Sequence, residues 1–182
     1  ADTPSGFKAG LFISGLDVGA TAATVLYDAV VNGIAPAANS YAPTSIVDAS
    51  NFKTVMDKVS LGNCSAGAPA MPEAAEKPLF VVINKSADQQ YFIDLQTSFA
   101  DTAMGFGGES KKFDAKLDPN LGVSLVNDAI SAGAKGIAIT VPDQTIGPAI
   151  AKAAKDAGVV LIATDDGILD ADGNPVPFVG FD

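Results

Sequence analysis

Short apolar runs alternate along this chain with longer segments in which apolar residues recur every three or four positions. Apolar runs predict strands, buried where the run is continuous, and two weaker segments, 44–49 and 112–116, are also interpreted as strands. The three-to-four spacing predicts helices with one apolar face. The predicted strands are residues 9–14, 44–49, 79–84, 112–116, 136–140, 158–164 and 177–181.

The predicted helices lie between these strands. The first covers about residues 19–32, and Asn32-Gly33 gives the signal for its C-terminal end. Another begins at Asp118, the N-cap, followed by Pro119 in the first helical position. The apolar positions that define the five helices are Ala22, Val25, Leu26, Ala29 and Val30; Phe52, Val55, Met56 and Val59 within 51–60; Phe92, Leu95 and Phe99; Leu121, Leu125, Val126 and Ile130; and Ile146, Ile150, Ala153 and Ala154.

This alternation predicts the fold class. Strands that are apolar on both faces belong to parallel sheets covered by helices on both sides. Right-handed crossovers then give an α/β fold with an open, doubly wound, mostly parallel sheet. The alternation is interrupted by residues 63–78, a stretch of Pro, Ala and Gly without periodicity that predicts a linker.

Composition narrows the possible functions. With 48% hydrophobic and 18% charged residues, the 182-residue chain is a folded domain rather than a disordered one. Its net charge of −10 disfavours nucleic acids and anionic membrane surfaces as partners. No apolar run is long enough to span a bilayer, and no leader resembling a signal peptide opens the sequence.

Residue counts also argue against catalysis. The chain has no histidine and one cysteine, Cys64, so it contains no Ser-His-Asp or Cys-His pair, no histidine metal site and no internal disulfide. No cofactor fingerprint or activated nucleophile is present, so we predict neither an enzyme nor a bound cofactor.

Polar and aromatic residues follow several predicted strands directly. The carboxyl ends of parallel strands meet at one edge of an open sheet, where such sheets bind their ligands. Carboxylates accept hydrogen bonds from hydroxyls, lysine donates them, and an aromatic face covers the apolar side of a sugar ring, whereas a phosphate would be repelled. The pattern predicts a site for a neutral, polyhydroxylated ligand, from residues Lys85, Asp88, Gln89, Gln90, Tyr91, Phe92, Asp143, Gln144, Asp165, Asp166, Asp17 and Asp182.

A helix-capping role competes with this interpretation. Asp17, Asp88 and Asp143 each stand where an N-cap is expected, and capping is the favoured role for any one of them. No helical pattern follows Asp165-Asp166, so a role in binding is favoured for that pair.

Two other motifs that resemble ligand-binding loops are interpreted as turns. Residues 105–108 are rich in glycine but follow a helix, which indicates a helix-ending turn rather than a phosphate loop. Residues 170–174 alternate like a calcium loop without its downstream glutamate, which indicates a surface turn.

Several stretches resemble the bacterial periplasmic sugar-binding proteins of the type I solute-binding class, most closely the arabinose-binding members. The stretches LFVVINKSADQQYF, SAGAKGIAITVPDQTIGPAIAKA, VVLIATDDGILDADGNPVP and VGFD resemble the first lobe of that family. FKAGLFISGLDVGATAATVLYDAVVNGIAP and SIVDASNFKTVMDKVSLG, which precede them here, resemble the family's C-terminal end. The resemblance thus implies a circularly permuted order from which most of the second lobe is absent.

This order implies three parts. Residues 1–62 would be the family's C-terminal segment, with the last strand and helix of the first lobe and then a strand and helix of the second. Residues 63–78 would be a linker, and residues 79–182 the N-terminal lobe, of flavodoxin-like type. Cys64 and the residues after it resemble the start of a lipid-anchored binding protein, although no lipobox precedes it. We expect an engineered chain whose parent protein is periplasmic or lipid-anchored.

The resemblance also implies roles for individual residues. Lys85 and the pair Asp165-Asp166 match sugar-contacting residues, and Tyr91-Phe92 match the aromatic pair that packs on the sugar ring. Gln89 departs from a glutamate and Phe181 from a hinge methionine of the arabinose binders. The expected function is that of a non-enzymatic ABC-transport binding protein contributing one half of a cleft for a pentose or hexose, with a second chain supplying the missing lobe. The alternative is an engineered scaffold or assembly unit without a ligand.

Overall fold

A computed structural model describes residues 8–55 and 77–182, and all structural statements below refer to these residues. The strands are β1 (Ala9–Phe12), β2 (Asn39–Tyr41), β3 (Ser45–Asp48), β4 (Leu79–Asn84), β5 (Glu109–Asp114), β6 (Ala134–Ile139), β7 (Val160–Thr164) and β8 (Phe178–Gly180). The helices are α1 (Gly15–Val31), α2 (Gln90–Gly105), α3 (Pro119–Ser131) and α4 (Gly147–Asp156), and a 3₁₀ turn at Gln144–Ile146 precedes α4.

Six strands form one parallel sheet in the order β2-β8-β7-β6-β4-β5. Strands β4, β6 and β7 lie inside it, which explains why their sequences are apolar at nearly every position. Each face of the sheet carries its own apolar core. Helices α3 and α4 cover one face, where Val126 and Ile150 are fully buried, and α1 and α2 cover the other, where Leu26 and Phe99 are fully buried. The predicted α/β fold class is confirmed.

Helices α1 and α2 approach each other unusually closely. A Cβ atom added to Gly15 would lie 2.2 Å from the carbonyl oxygen of Tyr91, and one added to Gly19 would lie 2.2 Å from that of Leu95. Only glycine permits this spacing, because any side chain would collide with the backbone of α2. The contact seats α1 on the layer that carries the aromatic residues Tyr91 and Phe92.

Two predicted strands lie outside the central sheet, and one of them, residues 9–14, was expected to be buried. Residues of the predicted strand 9–14 form β1, which pairs antiparallel with β3 from the predicted strand 44–49. Both strands of this two-stranded ribbon are largely exposed, and the cross-strand partners Leu11 and Ile46 are 61% and 69% exposed. An apolar run indicates a surface that needs cover, but it does not specify which part of the protein provides it.

The edge strand β2 was not expected, because its residues lie between the predicted helix 19–32 and the predicted strand 44–49, in a segment with Pro36 and Pro43 that carries no strand pattern. Asn39–Tyr41 nevertheless pairs in parallel with β8. The strand is only three residues long, and an edge strand needs hydrogen bonds to one neighbour alone, so proline residues outside it are tolerated.

The other predicted elements lie within a few residues of their expected positions. Asp118 caps α3 by accepting hydrogen bonds from the backbone N–H groups of Asn120 and Leu121, and Gly33 follows α1 with a φ of +68°. Met56, Val59, Cys64 and most of the predicted linker lie outside the described residues. None of the described helices is long and apolar enough to cross a membrane.

Candidate ligand-binding site

Lys85 follows β4 at the carboxyl edge of the sheet and lies between two carboxylates. Its Nζ atom is 2.6 Å from Oδ2 of Asp166 and 3.7 Å from Oδ2 of Asp165. All three side chains are about one quarter to one third exposed, so the ion pair is shielded but still accessible. The two aspartates follow β7, which is separated from β4 by β6 alone.

The two carboxylates are aimed by a tight turn. Asp165 has a φ of +62°, and the N–H of Asp166 donates to the carbonyl oxygen of Thr164 at 2.6 Å, which closes a three-residue γ-turn around Asp165. The N–H of Asp165 donates to Val179 of β8 at 3.1 Å and holds the turn against the sheet. A left-handed conformation of this kind is energetically unfavourable for most residues and is concentrated at functional sites.

Tyr91 connects the carboxylates to an aromatic group. Its hydroxyl donates to Oδ1 of Asp165 at 3.2 Å. Burial, and secondly the negative charge of Asp165, raise the pKa of the Tyr91 phenol well above its usual value. The hydroxyl therefore stays protonated and remains a hydrogen-bond donor at neutral pH.

Three aromatic rings stand beside the charged residues. Tyr91 and Phe92 meet edge to face with ring centroids 5.2 Å apart, and Phe181 lies 6.5 Å from Tyr91. Nζ of Lys85 lies 5.1 Å from the centre of the Phe92 ring, within the range of a cation–π contact. The site thus combines a lysine donor, two carboxylate acceptors and an apolar surface.

Of the seven residues that the family resemblance marks for the site, the structure brings together six: Lys85, Tyr91, Phe92, Asp165, Asp166 and Phe181. We refer to these six as the edge cluster. Gln89 lies at the N-cap position of α2, exposed, and its side chain forms no hydrogen bond within the described part of the chain. Its contact with a ligand stays a prediction.

The three aspartates that were predicted as possible helix caps have different roles in the structure. Asp143 caps the 3₁₀ turn by accepting hydrogen bonds from the N–H and hydroxyl of Thr145, and these bonds lower the pKa of its carboxyl. Asp88 accepts a hydrogen bond from the Ser86 hydroxyl instead of capping a helix. Asp17 lies in the first turn of α1, where burial raises its pKa, while Ser14 takes the N-cap position.

Both motifs that were interpreted as turns are turns. Residues 105–108 end α2, and Gly107 adopts a φ of +89°. In the 170–174 segment, Oδ1 of Asp170 accepts from the backbone N–H groups of Asp172 and Asn174, which lowers the pKa of this carboxyl.

A buried polar row beneath the edge cluster was missed by the sequence analysis. Asn84, Thr140 and Thr164 end or directly follow β4, β6 and β7, all are fully buried, and the two threonine hydroxyls share a hydrogen bond of 2.8 Å. Asn84 was placed in a predicted strand but not in the site. The available signal was its polarity at the end of an otherwise apolar run, LFVVIN.

Two open grooves lie away from the edge cluster, at the amino ends of the strands. One, of about 540 Å³, is bordered by α4 and residues 170–177, and the other, of about 580 Å³, by Lys77, Lys111 and Lys135. Neither includes a residue predicted for the site, and parallel sheets bind ligands at the opposite edge. The side-chain chemistry and the sheet topology therefore favour the edge cluster as the ligand-binding site.

Comparison with known proteins shows which family the chain belongs to. Residues 80–182, more than half of the chain, match the periplasmic binding protein domain. The chain belongs to the periplasmic binding protein family. A curated relative, the ABC transporter L-arabinose-binding periplasmic protein of Azospirillum brasilense, is 30% identical over 109 residues, which are 58% of this chain and 31% of the relative.

Solved structures share the fold of this periplasmic binding protein domain. The Caulobacter myo-inositol binding protein bound to myo-inositol superposes with a TM-score of 0.53 at 23% identity, over 62% of this chain and 37% of that one. A Mycobacterium smegmatis protein in complex with β-D-fucofuranose gives 0.50 at 23% identity, over 57% of this chain and 34% of that one. The matched region thus spans about a third of each relative.

Proposed function

We propose that this chain is part of an ABC-type solute-binding protein and forms one wall of a cleft that binds a monosaccharide without chemical change. The observation that carries the proposal is the ion pair of Lys85 with Asp166, at 2.6 Å, beside the rings of Tyr91 and Phe92. Charged hydrogen-bonding groups next to an aromatic surface match a ring whose hydroxyls point outward and whose C–H face is apolar.

The charge of the edge cluster favours a neutral ligand. Asp165 and Asp166 outnumber Lys85, so an anionic substrate would meet net negative charge on a chain that already carries −10. A neutral sugar lets the carboxylates accept from hydroxyls while Lys85 donates to a ring or hydroxyl oxygen. The curated relative is named for L-arabinose, and we propose a pentose or hexose for this chain.

The cluster supports only one side of such a cleft. Its charged side chains stay partly exposed at the sheet edge, and the matched relatives are about three times as long as the matched region. Family members that trap a ligand between two lobes gain affinity from contacts on both sides. We therefore propose that a second lobe, on another chain, completes the site, and that the parent protein acts outside the cytoplasm.

We also propose that the segment 1–62 is permuted relative to the family order. Helix α1 packs on α2, and β2 extends the sheet next to β8, so residues 15–42 complete the lobe formed by residues 79–182. Ribbon β1–β3 would then lead towards the second lobe. Residues 63–78 would be the linker that joins the two family segments.

Sugar titration of the chain tests the function. We expect weak binding of L-arabinose, D-galactose, D-glucose or D-xylose, seen as NMR shift changes at Lys85, Tyr91 and Asp166 at sugar concentrations up to about 0.1 M. Asp166→Ala should abolish them, because it leaves sugar hydroxyls and Lys85 without their acceptor. Asp156→Ala is the matched control, because Asp156 forms an exposed ion pair with Lys152 and lies outside the edge cluster.

Two kinds of result would contradict different parts of the proposed function. Micromolar binding by this chain alone would contradict the one-wall arrangement while supporting sugar binding. Shift changes that are absent for all four sugars, or unchanged in Asp166→Ala, would contradict the sugar site itself.

A further inference from the structure

We infer that Asn84 is a positioning residue, which fixes the aromatic side of the edge cluster to the sheet and is kept for that purpose at a cost in stability. The inference rests on the proposed sugar site for its functional meaning, although its geometric part can be tested without a sugar. Asn84 does not face the ligand-accessible edge, since it is fully buried.

Asn84 joins two elements that carry site residues. It is the last residue of β4, immediately before Lys85, and its Nδ2 donates to the backbone carbonyl of Phe92 in the first turn of α2. The hydrogen bond therefore closes the loop that contains Lys85 and Gln89. It also fixes the turn from which Tyr91 reaches Asp165 and Phe92 faces the lysine amine.

The other half of the Asn84 amide is not satisfied. Its Oδ1 atom is buried and has no hydrogen-bond partner within the described residues. Rotating the amide by 180° would bring Oδ1 against the carbonyl oxygen of Phe92, so the observed orientation is the one that the helix dictates. A buried acceptor without a partner lowers stability, and an apolar residue at the end of β4 would avoid that loss.

In and directly after strands β4, β6 and β7, buried polar side chains occur at this level alone among the described residues. Thr140, which directly follows the register pair of Ile83 and Ile139, and Thr164 share a hydrogen bond between their hydroxyls. The strand positions two residues before Asn84, Thr140 and Thr164 are apolar and buried, and they are Val82, Ala138 and Ile162. Asn84 is thus the member of the row that extends from the sheet to the binding residues on α2.

Asn84→Val tests whether stability and positioning are separate. Valine suits a buried strand and removes the unsatisfied oxygen, so the urea midpoint should stay the same or rise. The Tyr91 ring should nevertheless lose its fixed place: in protein with ¹³C-labelled tyrosine, its ring shifts should move at least halfway towards free-tyrosine values. Tyr27, which packs on Phe106 at 4.8 Å, is the internal reference and should not move.

Asn84→Asp adds a rescue by pH. A buried carboxyl has a raised pKa and, when protonated, presents one O–H donor and one acceptor in the shape of the amide. In this variant the Tyr91 ring shifts should differ from those of the wild type at pH 7 and match them at acid pH. Each comparison is made with the wild type at the same pH, because the ionisable groups Lys85, Asp165, Asp166 and Tyr91 lie nearby. Asn127→Asp is the matched control, because the exposed Asn127 donates in the same way to the carbonyl of Val123.

Titration with L-arabinose and D-glucose then links geometry to binding. We expect Asn84→Val to weaken the sugar response about tenfold, which is the lower end of the loss seen when the hydrogen-bond partner of a metal ligand is removed. Unchanged Tyr91 shifts in Asn84→Val and in Asn84→Asp at pH 7 would overturn the positioning role, as would Asn84→Val being destabilised with both rings moving. A wild type that responds to no sugar would refute the proposed function alone, because the Tyr91 readout does not need a ligand.

Discussion

Single residues at the carboxyl edge of the sheet combine strain with charge. Asp165 accepts the unfavourable left-handed conformation, and in that conformation its carboxylate meets both Tyr91 and Lys85. Aspartate tolerates this region of φ better than most residues with a side chain. The sequence identified the aspartate pair as a candidate for binding, because no helical pattern follows it. It did not predict the γ-turn, in which Asp165 contacts Tyr91 while Asp166 forms the shorter ion pair with Lys85.

The phenol of Tyr91 should make the stability of the protein depend on pH. The folded state raises the pKa of its phenol, mainly through burial and then through Asp165. Above pH 10 the unfolded chain therefore releases this proton before the folded protein does, so the free energy of unfolding falls as the pH rises. Urea unfolding between about pH 8 and 11.5 should show a shallower decline for Tyr91→Phe than for wild type.

Tyr41→Phe is the control for this series, because Tyr41 is about half exposed on the edge strand β2. It should follow the wild-type decline throughout. Equal slopes for all three proteins would mean that the pKa of the Tyr91 phenol is not raised in the folded state.

At the scale of elements, the contact between α1 and α2 determines where the aromatic residues stand. Gly15 and Gly19 lie one helical turn apart and let the backbones touch, so α1 supports the turn that carries Tyr91. The sequence predicted α1 as a helix with one apolar stripe. It did not reveal which element the helix packs on, because the glycines that make the contact were not part of the apolar pattern.

Gly19→Ala should separate these helices. The added methyl group would overlap the carbonyl of Leu95, and overpacking of this kind costs about 1–3 kcal/mol of unfolding free energy, measured by urea denaturation. Gly105→Ala is the contrasting variant, because space is open around Gly105 at the end of α2 and alanine favours helix by up to about 1 kcal/mol. A Gly19→Ala protein as stable as Gly105→Ala would show that the helices are not in contact.

At the scale of the whole molecule, the lobe has a sheet with two covered faces and a ribbon that remains outside it. Among residues 8–55 and 77–182, strands β1 and β3 pair only with each other, and a two-stranded ribbon is marginally stable in water without packing. Leu11 and Ile46 are exposed cross-strand partners, and Ile13 and Phe52, which follow β1 and β3 in the sequence, are exposed as well. These side chains are where we place the proposed second lobe.

The ribbon surface should make the chain associate when no second lobe covers it. We expect sedimentation velocity to show association that increases with protein concentration, and Ile46→Lys to reduce it because a charge would be buried in the contact. Met104→Lys, which replaces an exposed apolar residue at the end of α2, should associate like the wild type. Association that is equally strong in all three proteins would place the contact elsewhere.

The sequence by itself determined the layered α/β architecture and most of the edge cluster. Alternating apolar runs and helical stripes require a covered parallel sheet, and strand ends in such a sheet meet, so Lys85 and Asp166 could be brought together without coordinates. Only the tertiary structure showed that residues 39–41 rather than 9–14 extend the sheet, since the choice depends on long-range pairing with β8 and not on a local apolar pattern. It also revealed the link from Asn84 to Phe92, which depends on the distance between a strand and a helix and has no local signature.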